Sequence, residues 1–210
     1  LVHANAVLMP SASTAAVLHR INQTRNVHVV TIEDPIEFVH RDLKARISQR
    51  EVGTDTESFQ IALRHVVRES PDVIMIGEMR DAETMSVALA TALTGHLVFA
   101  TLHTIDATQT VQRIMSFFPD HMKSQVAVDL SLSLRAVVAQ RLVPRADGKG
   151  RAVAVEYLTV SPPASRLLRE QRGEELQDLM KGSNDPGMQT FDRALLDLLQ
   201  HKVINFETGV

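Results

Sequence analysis

The chain has 210 residues, a net charge of −3, 44% hydrophobic and 22% charged residues, and an isoelectric point near 6.3. That balance suits one α/β domain with a full core and a smaller appendage, and shows no basic field for nucleic acid or an anionic membrane. The lack of cysteine excludes disulfides and thiolate metal sites.

The most apolar stretch, Val87 to Leu102, is interrupted by Thr91, Thr94, Gly95, His96 and Thr101, so it is too short and too polar to span a bilayer. Leu1 to Thr14 lacks the charged start and cleavage region of a signal peptide. The expectation is a cytoplasmic protein whose sequence is cut at both ends.

In chain order, a first long helix includes Ala15 to Arg20, and Val27 to Ile32 is a β-branched run that reads as a buried strand. Phe59, Leu63, Val66 and Val67 line one face of a helix that Asp55 or Thr56 would cap. Asp72 to Ile76 is a second strand. Met85, Ala88, Leu89, Ala92 and Leu93 follow with helical spacing, and Gly95 ends that helix. Leu97 to Leu102 is a third strand, and Ala107, Val111, Ile114, Met115 and Phe118 form a helix that Pro119 breaks. Val126, Leu130, Leu134, Val137 and Val138 predict another helix, running into a strand over Val138 to Val143.

Arg145 to Gly150 is a hairpin loop from which Ala152 to Leu158 returns antiparallel. Ser161-Pro-Pro163 marks a boundary, and beyond it Ala164 to Leu179 and Thr190 to Leu199 read as helices joined by the Gly182 to Gly187 loop. Apolar strands alternating with amphipathic helices predict an α/β fold: a parallel sheet with helices on both faces over residues 1–160, and a small helical C-terminal subdomain over 161–210, expected to be truncated.

Polar residues follow the strands directly: Glu33-Asp34 after the first, Gly77-Glu78 after the second and His103 after the third. In open parallel sheets that edge is where ligands bind. Carboxylates with a histidine around one crevice suit a hydrated divalent cation and an activated water, and no serine sits on a nucleophile elbow. Singly, each has a plain alternative. Glu78 at the end of an apolar strand has the form of a Walker B acid or of a surface or helix-capping residue. Glu33 and Asp34 also fit a solvated Asp-Pro turn, His96 and His103 fit structural histidines, and Arg64, Arg68 and Arg80 fit solvated charges.

Taken in order, Thr31-Ile-Glu-Asp-Pro-Ile-Glu-Phe38, Asp72 to Asp81 and Thr94-Gly-His-Leu-Val-Phe-Ala-Thr-Leu-His-Thr104 resemble the aspartate, Walker B and histidine boxes of the PilT/PilU twitching-motility ATPases of the secretion-ATPase superfamily. The resemblance runs from about Thr14 to Val210. Gln49-Arg-Glu-Val52, Gly187-Met-Gln-Thr-Phe-Asp192 and Phe117-Phe-Pro119 match its retraction branch, the last two more closely the PilU type. The resemblance implies a RecA-like core and a hexameric motor that couples ATP hydrolysis to type IV pilus retraction. It would act in the cytoplasm against an inner-membrane pilus platform protein, as a homo-hexamer or in a mixed ring with a paralogue, with no nucleic-acid partner.

It further implies that Glu78 activates the lytic water and that Glu33, with Asp34 beside it, acts near Mg²⁺, which Glu33 and Glu78 would hold partly through water. His103 and His96 would face the γ-phosphate of ATP, and Arg68 and Arg80 match arginines able to reach a neighbour's nucleotide. Which of Arg64, Arg68 and Arg80 does so stays open.

The phosphate-binding loop departs from the family. Counting back from the first helix, its register falls on residues 4–11, which hold no glycine or lysine, with Pro10 at the lysine position. Pro10 lacks a backbone donor, and only Ser11 keeps a metal-binding hydroxyl. A weak or absent affinity for ATP is expected. Ala164-Ser-Arg-Leu-Leu-Arg169 keeps the arginines of the family's C-terminal signature only approximately, and the family's N-terminal PAS-like domain is not within these residues. Three alternatives follow: a non-hydrolysing ring subunit of the same fold, an ordinary loop replaced by the residues before Ser13, or a type II secretion or pilus assembly ATPase. Absence of the four zinc-binding cysteines counts against the assembly enzymes.

Overall fold

The structure is a computed structural model that describes residues 5–183 and 185–209. Ala4 in the phosphate-loop register and Asn184 in the Gly182 to Gly187 loop lie outside the described residues.

One eight-stranded sheet organises the chain, in the order β3-β2-β4-β5-β1-β6-β7-β8. The strands are β1 (Asn5–Leu8), β2 (His28–Glu33), β3 (Arg46–Glu51), β4 (Val73–Ile76), β5 (Leu97–Ala100), β6 (Leu134–Pro144), β7 (Arg151–Thr159) and β8 (Met188–Gln189). Pairing is parallel from β3 through β6, and antiparallel at β6–β7 and β7–β8. The three expected strands are β2, β4 and β5, adjacent and parallel, with Val29 paired to Val73 and Val73 to Leu97. Their apolar runs are continuous because both faces are buried.

The helices are α1 (Ser11–Thr24), α2 (Phe59–Val66), α3 (Ala82–Leu93), α4 (Ala107–Ser116), α5 (Asp120–Ser133), α6 (Pro162–Arg169), α7 (Leu176–Gly182), α8 (Phe191–Gln200) and α9 (Phe206–Gly209). On one sheet face, Leu18 of α1 packs with Val29, Val73, Met75 and Phe99. On the other, Leu63 and Val66 of α2, Met85 and Leu89 of α3, Ile114 of α4 and Leu130 of α5 pack on Ile32, Ile74, Ile76 and Val98. Helices thus cover both faces. Among the described residues no helix is long and apolar enough to cross a membrane.

Beyond residue 160, the expected helices form as α6, α7 and α8. Ala164, Leu167, Leu168, Leu176, Met180 and Met188 bury into the same core as the sheet, and this segment also supplies β8.

Local chemistry moved several boundaries. Ser58, not Asp55 or Thr56, caps α2 by accepting from the Ile61 amide at 3.2 Å. Asp55 instead accepts from the Glu51 amide at 2.9 Å, closing the turn after β3. The helical spacing read through Leu134 and Val137 fails because both residues enter β6 and pair with β1, opposite Ala6 and Leu8. Sheet pairing satisfies their backbone while the side chains stay buried. The single helix expected over Ala164 to Leu179 divides into α6 and α7. Gln171 has φ of 58°, outside the right-handed helical region, so α6 ends before it.

The β1–α1 connection differs most from expectation. The register assigned to a degenerate phosphate loop is occupied by β1 itself, in the middle of the sheet between β5 and β6. Only Met9 and Pro10 separate Leu8 from Ser11. The loop is therefore shortened rather than merely substituted, because residues 5–8 are needed for pairing with Leu97 to Ala100.

Candidate functional site

Parallel pairing brings the ends of β2, β4 and β5 to one edge. Gly77 makes the approach close: a Cβ there would lie 3.1 Å from both Glu33 Cα and the Ile32 carbonyl oxygen. The Gly77 amide donates to that carbonyl at 2.7 Å, and the Thr101 hydroxyl after β5 donates to the Gly77 carbonyl. The tie draws the acids after β2 and β4 and the loop after β5 together. Ser11, Glu33, Asp34, Gly77, Glu78, Thr101 and His103 all line one cavity of about 80 Å³.

Glu33 is the last residue of β2 and is 7% exposed. Its Oε1 accepts from the Thr31 hydroxyl at 2.7 Å and from Gln49 Nε2 at 3.0 Å. Gln49 also donates to the Phe38 carbonyl at 2.9 Å and accepts from the His40 amide at 2.7 Å. It holds the chain after the Asp34–Pro35 turn against Glu33. In the sequence, Gln49 stands out only as part of the Gln49-Arg-Glu-Val52 match, with no role of its own. Its polar run hides the strand that places it beside Glu33, so only the pairing of β3 with β2 reveals the contact.

Glu78 is partly exposed and accepts from Arg80 Nε at 2.7 Å. Its other oxygen lies 3.6 Å from His103 Nε2. The Arg80 hydrogen bond, reinforced by that guanidinium's charge and by His103, holds the Glu78 carboxyl below the usual carboxylate range against the opposing effect of burial. Arg80 also lies 4.0 Å from Asp34. The capping alternative for Glu78 fails: Asp81 is the cap of α3, accepting from the Thr84 amide at 2.8 Å and from Gln60 at 3.0 Å. Asp72, at the other end of β4, accepts from the His28 amide at 2.8 Å.

Not every expected residue reaches this edge. His96 precedes β5 at the amino edge, where its Nδ1 lies 3.1 Å from the Thr91 carbonyl. It lines a different cavity, with Asp72 and Arg25. Arg68 sits in the exposed 3₁₀ turn Val67–Glu69 before β4, also at the amino edge. Arg64 pairs with Glu83 at 2.6 Å on the surface. A strand separates His96 from His103 because residues before and after a strand lie at opposite edges.

Ser11 opens α1 beside a second cavity of about 300 Å³, shared with Leu8, Met9, Pro10, His103, Thr104, Ile105 and Gln140. Its neighbour Pro10 holds the N-cap position and makes no side-chain cap bond. Among the described residues no three histidine, aspartate or glutamate side chains converge to hold a metal by themselves. Glu33 and Glu78 on one cavity fit Mg²⁺ of the kind bound by one or two carboxylates, water and substrate phosphates. A triphosphate cradle of glycine amides and lysine has no counterpart in the two-residue β1–α1 link.

A family model described as type II/IV secretion system protein matches residues 11–185. The chain is 49% identical over 200 residues to the type IV pilus ATPase PilU of Pseudomonas aeruginosa, covering 95% of this chain and 52% of that protein. It is 43% identical over 199 residues to the type IV pilus retractation ATPase PilT of the same organism, covering 95% and 58%. The crystal structure of the pilus retraction motor PilT with bound ADP matches it with a TM-score of 0.90 at 41% identity, over 99% of this chain and 60% of that one. The chain thus spans about half the length of the curated relatives it matches. With a family match over most of its residues and the fold shared with PilT, the chain belongs to the type II/IV secretion system protein family.

Proposed function

We propose that the chain is the ATPase core of a type IV pilus retraction motor. It works in a hexameric ring, alone or mixed with a paralogue, against an inner-membrane pilus platform protein. The observation that carries this reading is the convergence of Glu33, Glu78 and His103 on one cavity at the carboxyl edge, in a chain similar to PilU and PilT. Glu78 is the group to orient the attacking water, and the nearby His103 faces the transferred phosphoryl. Mg²⁺ bound with the nucleotide would supply charge neutralisation, held by Glu33, Glu78 and the Ser11 hydroxyl.

The Arg80 guanidinium bonded to Glu78 weakens it as a base, so Arg80 must swing away for Glu78 to act. The outlet is a neighbour's site, where a guanidinium stabilises charge developing on phosphate. Arg68 lies in the turn before β4, at the amino edge, so in this reading a neighbour's site is the one it serves.

The two-residue β1–α1 link favours a second reading, a ring subunit that assembles but does not hydrolyse. Calorimetric titration of the chain with MgATP, paired with a hydrolysis assay, separates the two. Binding and turnover support the motor; a folded, assembled ring with neither supports the passive subunit. In a protein whose phosphate-binding loop is restored, mixing Arg80→Ala with Glu78→Gln subunits, each inactive alone, tests the trans role. Returning activity at mixed interfaces supports it, and mixed rings without activity assign Arg80 to its own subunit.

A further inference from the structure

Glu156 in β7 is 3% exposed, yet it is a carboxylate in a strand that otherwise turns Ala152, Ala154 and Leu158 inward. Each of its oxygens serves a different helix. Oε1 accepts from the Ala107 amide, the first residue of α4, at 2.9 Å. Oε2 accepts from the Phe191 amide, the first residue of α8, at 3.2 Å.

Both helices already have conventional caps that serve a later amide. Asp106 accepts from Gln109 at 2.7 Å in α4, and Thr190 accepts from Arg193 at 3.4 Å in α8. Glu156 takes the first amide that these caps leave over. Two positive helix ends converging on one carboxylate offset part of the penalty of burying it. Burial raises its pKa, the two amides and the Arg141 guanidinium oppose that rise, and Asp106 adds to it. Arg141, on the adjacent strand, also stacks 4.1 Å over the Phe191 ring.

The position of α4 gives the clamp its significance. The loop that carries His103 runs from the end of β5 straight into Ala107. Thr101 pins one end of that loop to Gly77, and Glu156 pins the other. Thr104, in the middle, bonds Thr110 of α4 at 2.6 Å, so the loop and the first turns of α4 are tied together.

We propose that Glu156 is a positioning residue that couples the His103 loop to the C-terminal helix α8 by capping α4 and α8 with its two carboxylate oxygens. The proposal rests on the reading that His103 works at the phosphate side of the site. A displacement of the loop then pulls on the amino end of α8 through one side chain held at both oxygens, and loosening α8 releases the loop.

The test is a cycle of Glu156→Gln and Thr190→Ala in the full chain. Amide hydrogen exchange is followed residue by residue, with β4 amides as the internal reference for global stability. Glutamine has one acceptor oxygen and serves one helix only, so the Ala107 or the Phe191 amide should exchange roughly 10-fold faster than in the parent after correction against β4. Thr190→Ala, which loosens α8, should speed Ala107 exchange by about 3-fold or more and move the His103 ring resonances in the parent, and do neither in the Glu156→Gln background.

Equal responses of Ala107 to Thr190→Ala in both backgrounds, or none in the parent, would overturn the coupling. Should Glu156→Gln fail to fold, Glu156→Asp replaces it in the cycle; its carboxylate, one methylene shorter, reaches one helix but not both. MgATP titration of the same samples keeps the two readings apart. Coupling without nucleotide binding retains the clamp and removes the ATPase reading, and binding without coupling does the reverse.

Discussion

Two parts of one sheet edge differ sharply. Where β2, β4 and β5 end, Gly77 lets two strands approach to 3.1 Å of where a Cβ would be, and Glu33, Glu78 and His103 gather over a small cavity. Where β1 ends, one strand away, Met9 and Pro10 lead straight into α1, and the cavity beside them is lined by no acid and no lysine. The first region has the acids and the histidine that the proposed function sets to work on a phosphoryl group. The second lacks the loop that would hold one. In the proposed reading, the groups for chemistry and those for substrate affinity come from separate segments, so one can be lost with the other intact.

The largest expected effect repairs the second region. Replacing Met9 and Pro10 by a glycine-rich loop ending in lysine, with β1 and Ser11 kept, should tighten MgATP binding on the order of 10³-fold, because several charge-assisted contacts of about 1.5–3 kcal/mol each are added. Calorimetry reads the change. A same-length exchange over residues 4–11 should instead unfold the protein, since it removes β1 from mid-sheet. Tight MgATP binding by the unaltered chain would break the comparison.

In the loop-repaired protein, Glu78→Gln should reduce turnover about 10²-fold or more and spare nucleotide binding. Steady-state rates beside binding isotherms check this; an unchanged rate would remove Glu78 from the chemistry.

Gly77→Ala probes the close approach. The added methyl meets backbone at β2, not a flexible side chain, so the strands must part. Overpacking of this kind costs roughly 1–3 kcal/mol, read as a shift in the denaturant midpoint. A neutral result would mean that the acids are not held together by Gly77.

The smallest effect is electrostatic. Arg80 depresses the Glu78 pKa, so the stabilisation from that pair is present above the unfolded-state pKa and is lost as pH falls through the lower folded value. Arg80→Ala should raise the Glu78 pKa toward an ordinary glutamate and shrink that acid-side loss. A carboxyl titration followed by NMR gives the sign; an unmoved Glu78 would remove Arg80 as the cause.

The sequence alone determined the β2, β4 and β5 strands, their common edge and the acids and histidine beyond them, because continuous β-branched runs and the polar residues after them are local signals. It also showed that glycine and lysine are missing before α1. It did not reveal β3, whose Arg46–Glu51 run is polar and belongs to an edge strand. Nor did it reveal β1, which looked like a damaged loop until pairing on both sides defined it. Only the tertiary structure decided that His96 and Arg68 lie at the amino edge, away from the strand ends that carry Glu78 and His103, that Gln49 braces Glu33, and that Glu156 joins two helix ends. Those relations depend on which strand lies beside which and on partners tens of residues apart, information that no local periodicity carries.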